Sequence, residues 1–141
     1  MEENIKKYSQ ISEQELARIS PLTLAYLGDT VYESYIREYL IRKNIFMKIN
    51  DLHKYAIKYV NANAQSKAIK FLEIDILEED ELSIFKRGRN HKKNTAAKNA
   101  SIVDYRHATG FEAVIGYIYL KGNTHRLNYI IQKSIEIIEE K

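Results

Sequence analysis

Apolar residues recur at spacings of three and four along most of this chain, and only five Gly and one Pro in 141 residues interrupt them. A many-stranded β protein needs more turn chemistry than that, and its strands would alternate apolar and polar at every second position. The expected class is all-α, with helices joined by short loops. The length suits one domain with a real core, residues 1–141, led by a flexible 1–10.

Local signals place the helices. Ser12 followed by Glu15 reads as a capping box that opens a short first helix. Ser20 before Pro21 supplies a cap oxygen and a preset φ for a second, whose Leu24, Leu27, Val31 and Tyr35 carry it to about Leu40. Asn50 and Asp51 start another through Tyr59, and Asn61–Leu72 continues it after a kink or break, with Ala64, Ala68, Ile69 and Leu72 on one side. A helix is expected from Glu78 to about Phe85, then one from Asp104 to Leu120 closed by Gly122, then one from Thr124 with a stripe of Leu127, Ile130, Ile131, Ser134, Ile135 and Ile138.

Two acids sit awkwardly in this pattern. Asp29 follows Gly28 in an otherwise apolar helix, and Glu112 lies in Thr109-Gly110-Phe111-Glu112-Ala113-Val114-Ile115-Gly116. A carboxylate on an apolar helix face costs several kcal/mol to desolvate unless it is paired. If the helices cross at Gly28 and Gly116, the two acids face one another across a narrow cleft and can share a cation. The alternative is that each is satisfied separately by an Arg, Lys, Tyr or backbone N–H. Glu33, one turn after Asp29, joins the same site through a water or else pairs with Arg37.

With no Cys, thiolate metal sites and disulfides are excluded, and four scattered His argue against a histidine zinc site, so any metal is held by oxygen. The net charge of +3 says little, but its distribution says more. Six acids (Glu73, Asp75, Glu78, Glu79, Asp80, Glu81) precede six bases (Lys86, Arg87, Arg89, Lys92, Lys93, Lys98), and the basic stretch reads as an exposed loop. Such a loop binds nucleic-acid phosphates or is a solvated charge run neutralised by the acids before it. The first residues lack a secretory signal, and no run approaches the length needed to span a bilayer. The cytoplasm is expected, with no membrane partner.

Three segments then carry a resemblance: Leu24-Ala25-Tyr26-Leu27-Gly28-Asp29-Thr30-Val31-Tyr32-Glu33, Lys86-Arg87-Gly88-Arg89-Asn90, and Tyr105-Arg106-His107-Ala108-Thr109-Gly110-Phe111-Glu112 continuing to Leu120. In this order and spacing the chain resembles the Mini-ribonuclease III family, short bacterial relatives of ribonuclease III. The resemblance implies an all-helical ribonuclease III catalytic fold and a homodimer. It also implies Mg2+-dependent cleavage of double-stranded RNA, with Mn2+ as a substitute and 5′-phosphate and 3′-hydroxyl products.

The family's described task is to mature the ends of the 23S ribosomal RNA precursor, in which a ribosomal protein is a possible assistant. Carried over, Asp29 and Glu112 fall on the essential carboxylates, and Lys86 to Lys98 on the RNA-contacting loop. Two further acids of the larger enzyme align with Ala25 and Thr109, which cannot be carboxylate ligands, so one cation is expected rather than two. The short stretch after Gly122 leaves no space for a separate RNA-binding domain. A nonenzymatic RNA-binding protein on the same fold and a helical adaptor that docks an acidic protein remain the rival readings.

Overall fold

The computed structural model describes residues 10–91 and 101–140. Seven helices follow in order: α1 Glu13–Arg18, α2 Pro21–Lys43, α3 Ile49–Val60, α4 Ala62–Asp75, α5 Glu79–Arg89, α6 Ile102–Leu120 and α7 Thr124–Glu139. There is no strand among the described residues. The Ser12 capping box is present, with Glu15 N–H donating to Ser12 Oγ and Ser12 N–H to Glu15 Oε1, both at 3.1 Å. Ser20 Oγ accepts from Leu22 N–H at the start of α2. The break between α3 and α4 falls at Asn61, whose Oδ1 accepts from Ala64 N–H at 2.8 Å while its Nδ2 donates to Ile57 O at 2.9 Å.

The centre of the fold is α6. Its residues Ala108–Phe111 and Ala113–Ile118 are buried, and it packs against α2, α4 and α5 together. A helix apolar on nearly every side is stable only when surrounded in this way. The core around it is contiguous and draws on all seven helices, with Tyr32, Ile36, Phe85, Phe111, Ile115, Ile118 and Ile130 essentially inaccessible. Tyr32 and Phe111 meet edge to face at 4.9 Å, which fixes the α2–α6 pairing near its middle.

The position of α2 on α6 is set by two glycines. A Cβ on Gly28 would collide with the Glu112 carbonyl, and one on Gly116 with the carbonyl of Leu24, so the two backbones touch where any other residue would hold them apart.

The basic stretch is not a loop where it begins. Lys86, Arg87, Gly88 and Arg89 form the last turn of α5, Gly88 is buried, and the bases lie at the negative end of the helix dipole. The turn-like composition misled because Gly88 serves close packing against α6 rather than a bend. Helix boundaries otherwise move by a few residues: α2 runs on to Lys43, α3 starts at Ile49 without a side-chain cap, and α6 starts at Ile102, capped by Ser101. Lys92, Lys93 and Lys98, like the expected flexible lead, lie outside the described residues apart from Gln10. No described helix is long and apolar enough to cross a membrane.

Candidate active site

The glycine crossing brings the two awkward acids together. Asp29 projects from α2 and Glu112 from α6 into one cleft of ≈ 220 Å³, lined also by Leu22, Ala25, Tyr26, Tyr105 and Thr109. The cleft is open to solvent on the Asp29 side, where Asp29 is exposed, while Glu112 lies deeper. Burial pushes the Glu112 carboxyl up to about 9, helped by a hydrogen bond shared with Asp29 and by the negative charge of Asp29. Two carboxyls this close cannot both ionise without a counter-charge, so one retains a proton until a cation replaces it.

One neighbour opposes that trend. Gln65 on α4 directs its Nε2 toward Glu112 Oε2 at 3.5 Å while donating to Val60 O at 3.2 Å. Gln65 is 2% exposed, and its Oε1 has no hydrogen-bond partner among the described residues. Its importance was not noticed in the sequence, although a signal was present: Gln65 shares a helix face with Ala68, Ile69 and Leu72, so a polar residue stands where the pattern calls for an apolar one. Tyr26 and Tyr105, one on each wall, were likewise not singled out as lining a site. Tyr26 is 82% exposed at the mouth.

Glu33 sits differently. It is near enough for its charge to raise Glu112 further, but it pairs with Arg37 at 3.7 Å and lines the separate α2–α3 groove. Among the described residues, no group of three or more His, Cys, Asp or Glu is placed to hold a metal ion. The donors in the cleft are hard oxygens, without Cys or His. Two carboxylates of this kind suit a small divalent cation that keeps several waters and takes the rest of its ligands from a phosphate. Ala25 and Thr109 both line the cleft, and Thr109 donates its hydroxyl to Tyr105 O.

The basic residues divide. Arg87 donates to Ala17 O at 2.7 Å and to Ile19 O at 3.2 Å, fastening the end of α1 to α5. Arg89 pairs with Glu73, bonds Asn90 and lies over the Phe85 ring. Lys86 is exposed. His107 stays outside the cleft lining, with Nδ1 on Val103 O at 2.8 Å and its ring against Phe85.

Residues 22–123 match the model of the ribonuclease III domain. Mini-ribonuclease 3 of Clostridium tetani is 50% identical over 139 residues, which covers 96% of this chain and 91% of that protein. Its counterpart in Brevibacillus brevis is 47% identical over 133 residues, 92% of this chain and 98% of that protein. The crystal structure of a protein from Fusobacterium nucleatum superposes with a TM-score of 0.75 at 34% identity, covering 84% of this chain and 93% of the other.

Proposed function

The chain belongs to the ribonuclease III family, and from that premise we propose that Asp29 and Glu112 hold a divalent cation in the α2–α6 cleft, beside the phosphodiester to be cut. It is an endoribonuclease that acts on double-stranded RNA, and its family generally uses divalent metal ions. Mg2+ is the ion proposed, with Mn2+ as a substitute. The observation that carries this reading is the convergence of the two carboxyls, one of them retaining its proton for want of a counter-charge.

The chain's own groups divide the work. The Asp29 and Glu112 carboxylates bind the cation, and Glu112 gives up its proton from the carboxyl to do so. The ion's contribution, when bound, is to lower the pKa of a water and to offset charge that builds on the phosphoryl oxygens. Tyr26 and Tyr105 wall the cleft and orient the ribose–phosphate strand between them. Glu33 reaches the cation through water when Arg37 releases it. Lys86, Lys92, Lys93 and Lys98 hold the duplex by its phosphates, while Arg87 and Arg89 support the end of α5, on which Lys86 lies.

The proposed substrate is precursor 23S ribosomal RNA in the cytoplasm, with a ribosomal protein as possible assistant. A homodimer would supply one cleft per strand. Exposed apolar side chains gathered around the α2–α3 turn support it: Phe46 is 87% exposed, Ile45 68%, Ile49 62% and Ile57 59%, beyond what an isolated surface usually shows together.

The test is cleavage of a labelled RNA duplex with Mg2+ and with EDTA, by wild type and Asp29→Asn. Metal-dependent scission lost in the variant, with duplex binding retained, is expected. Binding without scission under every condition would favour the nonenzymatic reading.

A further inference from the structure

The buried amide of Gln65 has no role in the chemistry just described, yet it occupies a place in the core that an apolar side chain of the same shape would fill. Its oxygen accepts no hydrogen bond among the described residues, and a buried polar atom in that state weakens a fold rather than strengthening it. A residue kept against stability is often kept for function.

The sense of the amide is set by its surroundings. Val60 O is a carbonyl and can only accept, so the nitrogen end of Gln65 must face it. That same nitrogen then faces Glu112 Oε2. The Val60 carbonyl lies at the α3–α4 break, next to Asn61, whose side chain bonds Ile57 O and Ala64 N–H. The 3.5 Å separation from Glu112 is long, of the kind that tightens when a site fills.

We propose that Gln65 is a positioning residue for the cation site: anchored on the Val60 carbonyl, its amide N–H aims the Glu112 carboxylate into the cleft toward Asp29. This rests on the reading of Asp29 and Glu112 as cation ligands. The outer partners that orient a ligand's free atoms typically change metal affinity about ten- to a hundredfold when removed, and Gln65 belongs to that class. It acts on Glu112 from the protein side, so it touches neither RNA nor the scissile bond.

The experiment compares wild type, Gln65→Met, Gln65→Leu and Asp29→Asn as full chains without RNA. Mn2+ affinity is read from the electron paramagnetic resonance of free Mn2+, and the thermal midpoint is read in EDTA. Both Gln65 variants are expected to melt no lower than wild type and to bind Mn2+ about ten- to a hundredfold more weakly. With Mg2+ in RNA cleavage, the concentration for half-maximal rate should rise by a similar factor, while the rate at saturating Mg2+ recovers most of its wild-type value. Wild-type Mn2+ affinity in either folded variant would overturn the proposal, as would loss of folding in both, the behaviour of a purely structural amide. If Asp29→Asn binds Mn2+ as wild type does, the cation site itself has been misread and this inference falls with it. Retained weakening in Asp29→Asn alone would isolate the failure to Gln65.

Discussion

Replacing Glu112 by Gln removes the one titrating group whose ionisation the fold resists most clearly. Folded, Glu112 keeps its proton up to about pH 9, whereas an ordinary glutamate releases it near 4.5. Between those values the folded state binds a proton that the unfolded chain does not. The sign follows from that: the stability present below the lower value is lost as pH rises through the window. Each pH unit counts for about 1.4 kcal/mol, so the interval from about pH 5 to about pH 8 bounds the loss at about 4 kcal/mol. Water entering the open cleft brings the expected loss nearer about 2 kcal/mol. Urea unfolding followed by circular dichroism in EDTA should show wild type falling relative to Glu112→Gln by that amount as the pH is raised. Carboxylates held low by their partners, such as Asp80 and Glu139, bend both curves alike at acid pH and cancel in the difference. Excess Mg2+ should restore wild type at about pH 8 and leave the variant unmoved. Parallel curves for the two proteins in EDTA would refute the picture of a proton trapped between Asp29 and Glu112.

The glycine crossing makes a separate forecast. Gly28→Ala would favour an isolated helix by about 1 kcal/mol, yet it should destabilise the protein by about 3 kcal/mol or more, because the added methyl meets backbone that cannot yield; chemical denaturation measures it. Arg126→Met leaves Glu81, 3% exposed, without its partner at 2.7 Å, and should cost about 3–5 kcal/mol in the same assay while the Mg2+ dependence of cleavage stays as in wild type. Lys86→Ala should weaken duplex RNA binding and lower the slope of log affinity against log salt by about 1. Arg87→Ala should leave that slope unchanged and lower the melting temperature, since its guanidinium holds the carbonyls of Ala17 and Ile19.

Some of this molecule is written in short stretches of chain. A serine three residues before a glutamate, a serine before a proline, an apolar stripe at three and four: each is satisfied within a few residues, and α1, α2 and α7 begin where those patterns say. Asp29 and Glu112 also stood out locally, because a carboxylate in an apolar helix is anomalous wherever that helix packs. The start of the basic stretch, Lys86 to Arg89, is helical where a loop was expected, for the same reason that the other helices were legible. Its composition is that of a loop, and only contact with Gly110 and Ala113 reveals Gly88 as a packing residue within α5.

Convergence belongs to another level. Whether Asp29 meets Glu112, whether Glu33 turns to the cleft or to Arg37, and whether Arg87 meets phosphate or the end of α1 depend on how α2 and α5 lie across α6. Nothing within either segment encodes that angle. Gly28 and Gly116 permit the close crossing, but the surrounding core of Tyr32, Phe111 and Ile115 selects it. Gln65 shows the same division: a polar residue stands at an apolar position of α4, but its contact with Glu112 exists only because α4 is laid beside α6. Helical periods and caps are short-range physics, readable residue by residue, whereas a site is a set of distances between remote parts of the chain, decided by packing as a whole.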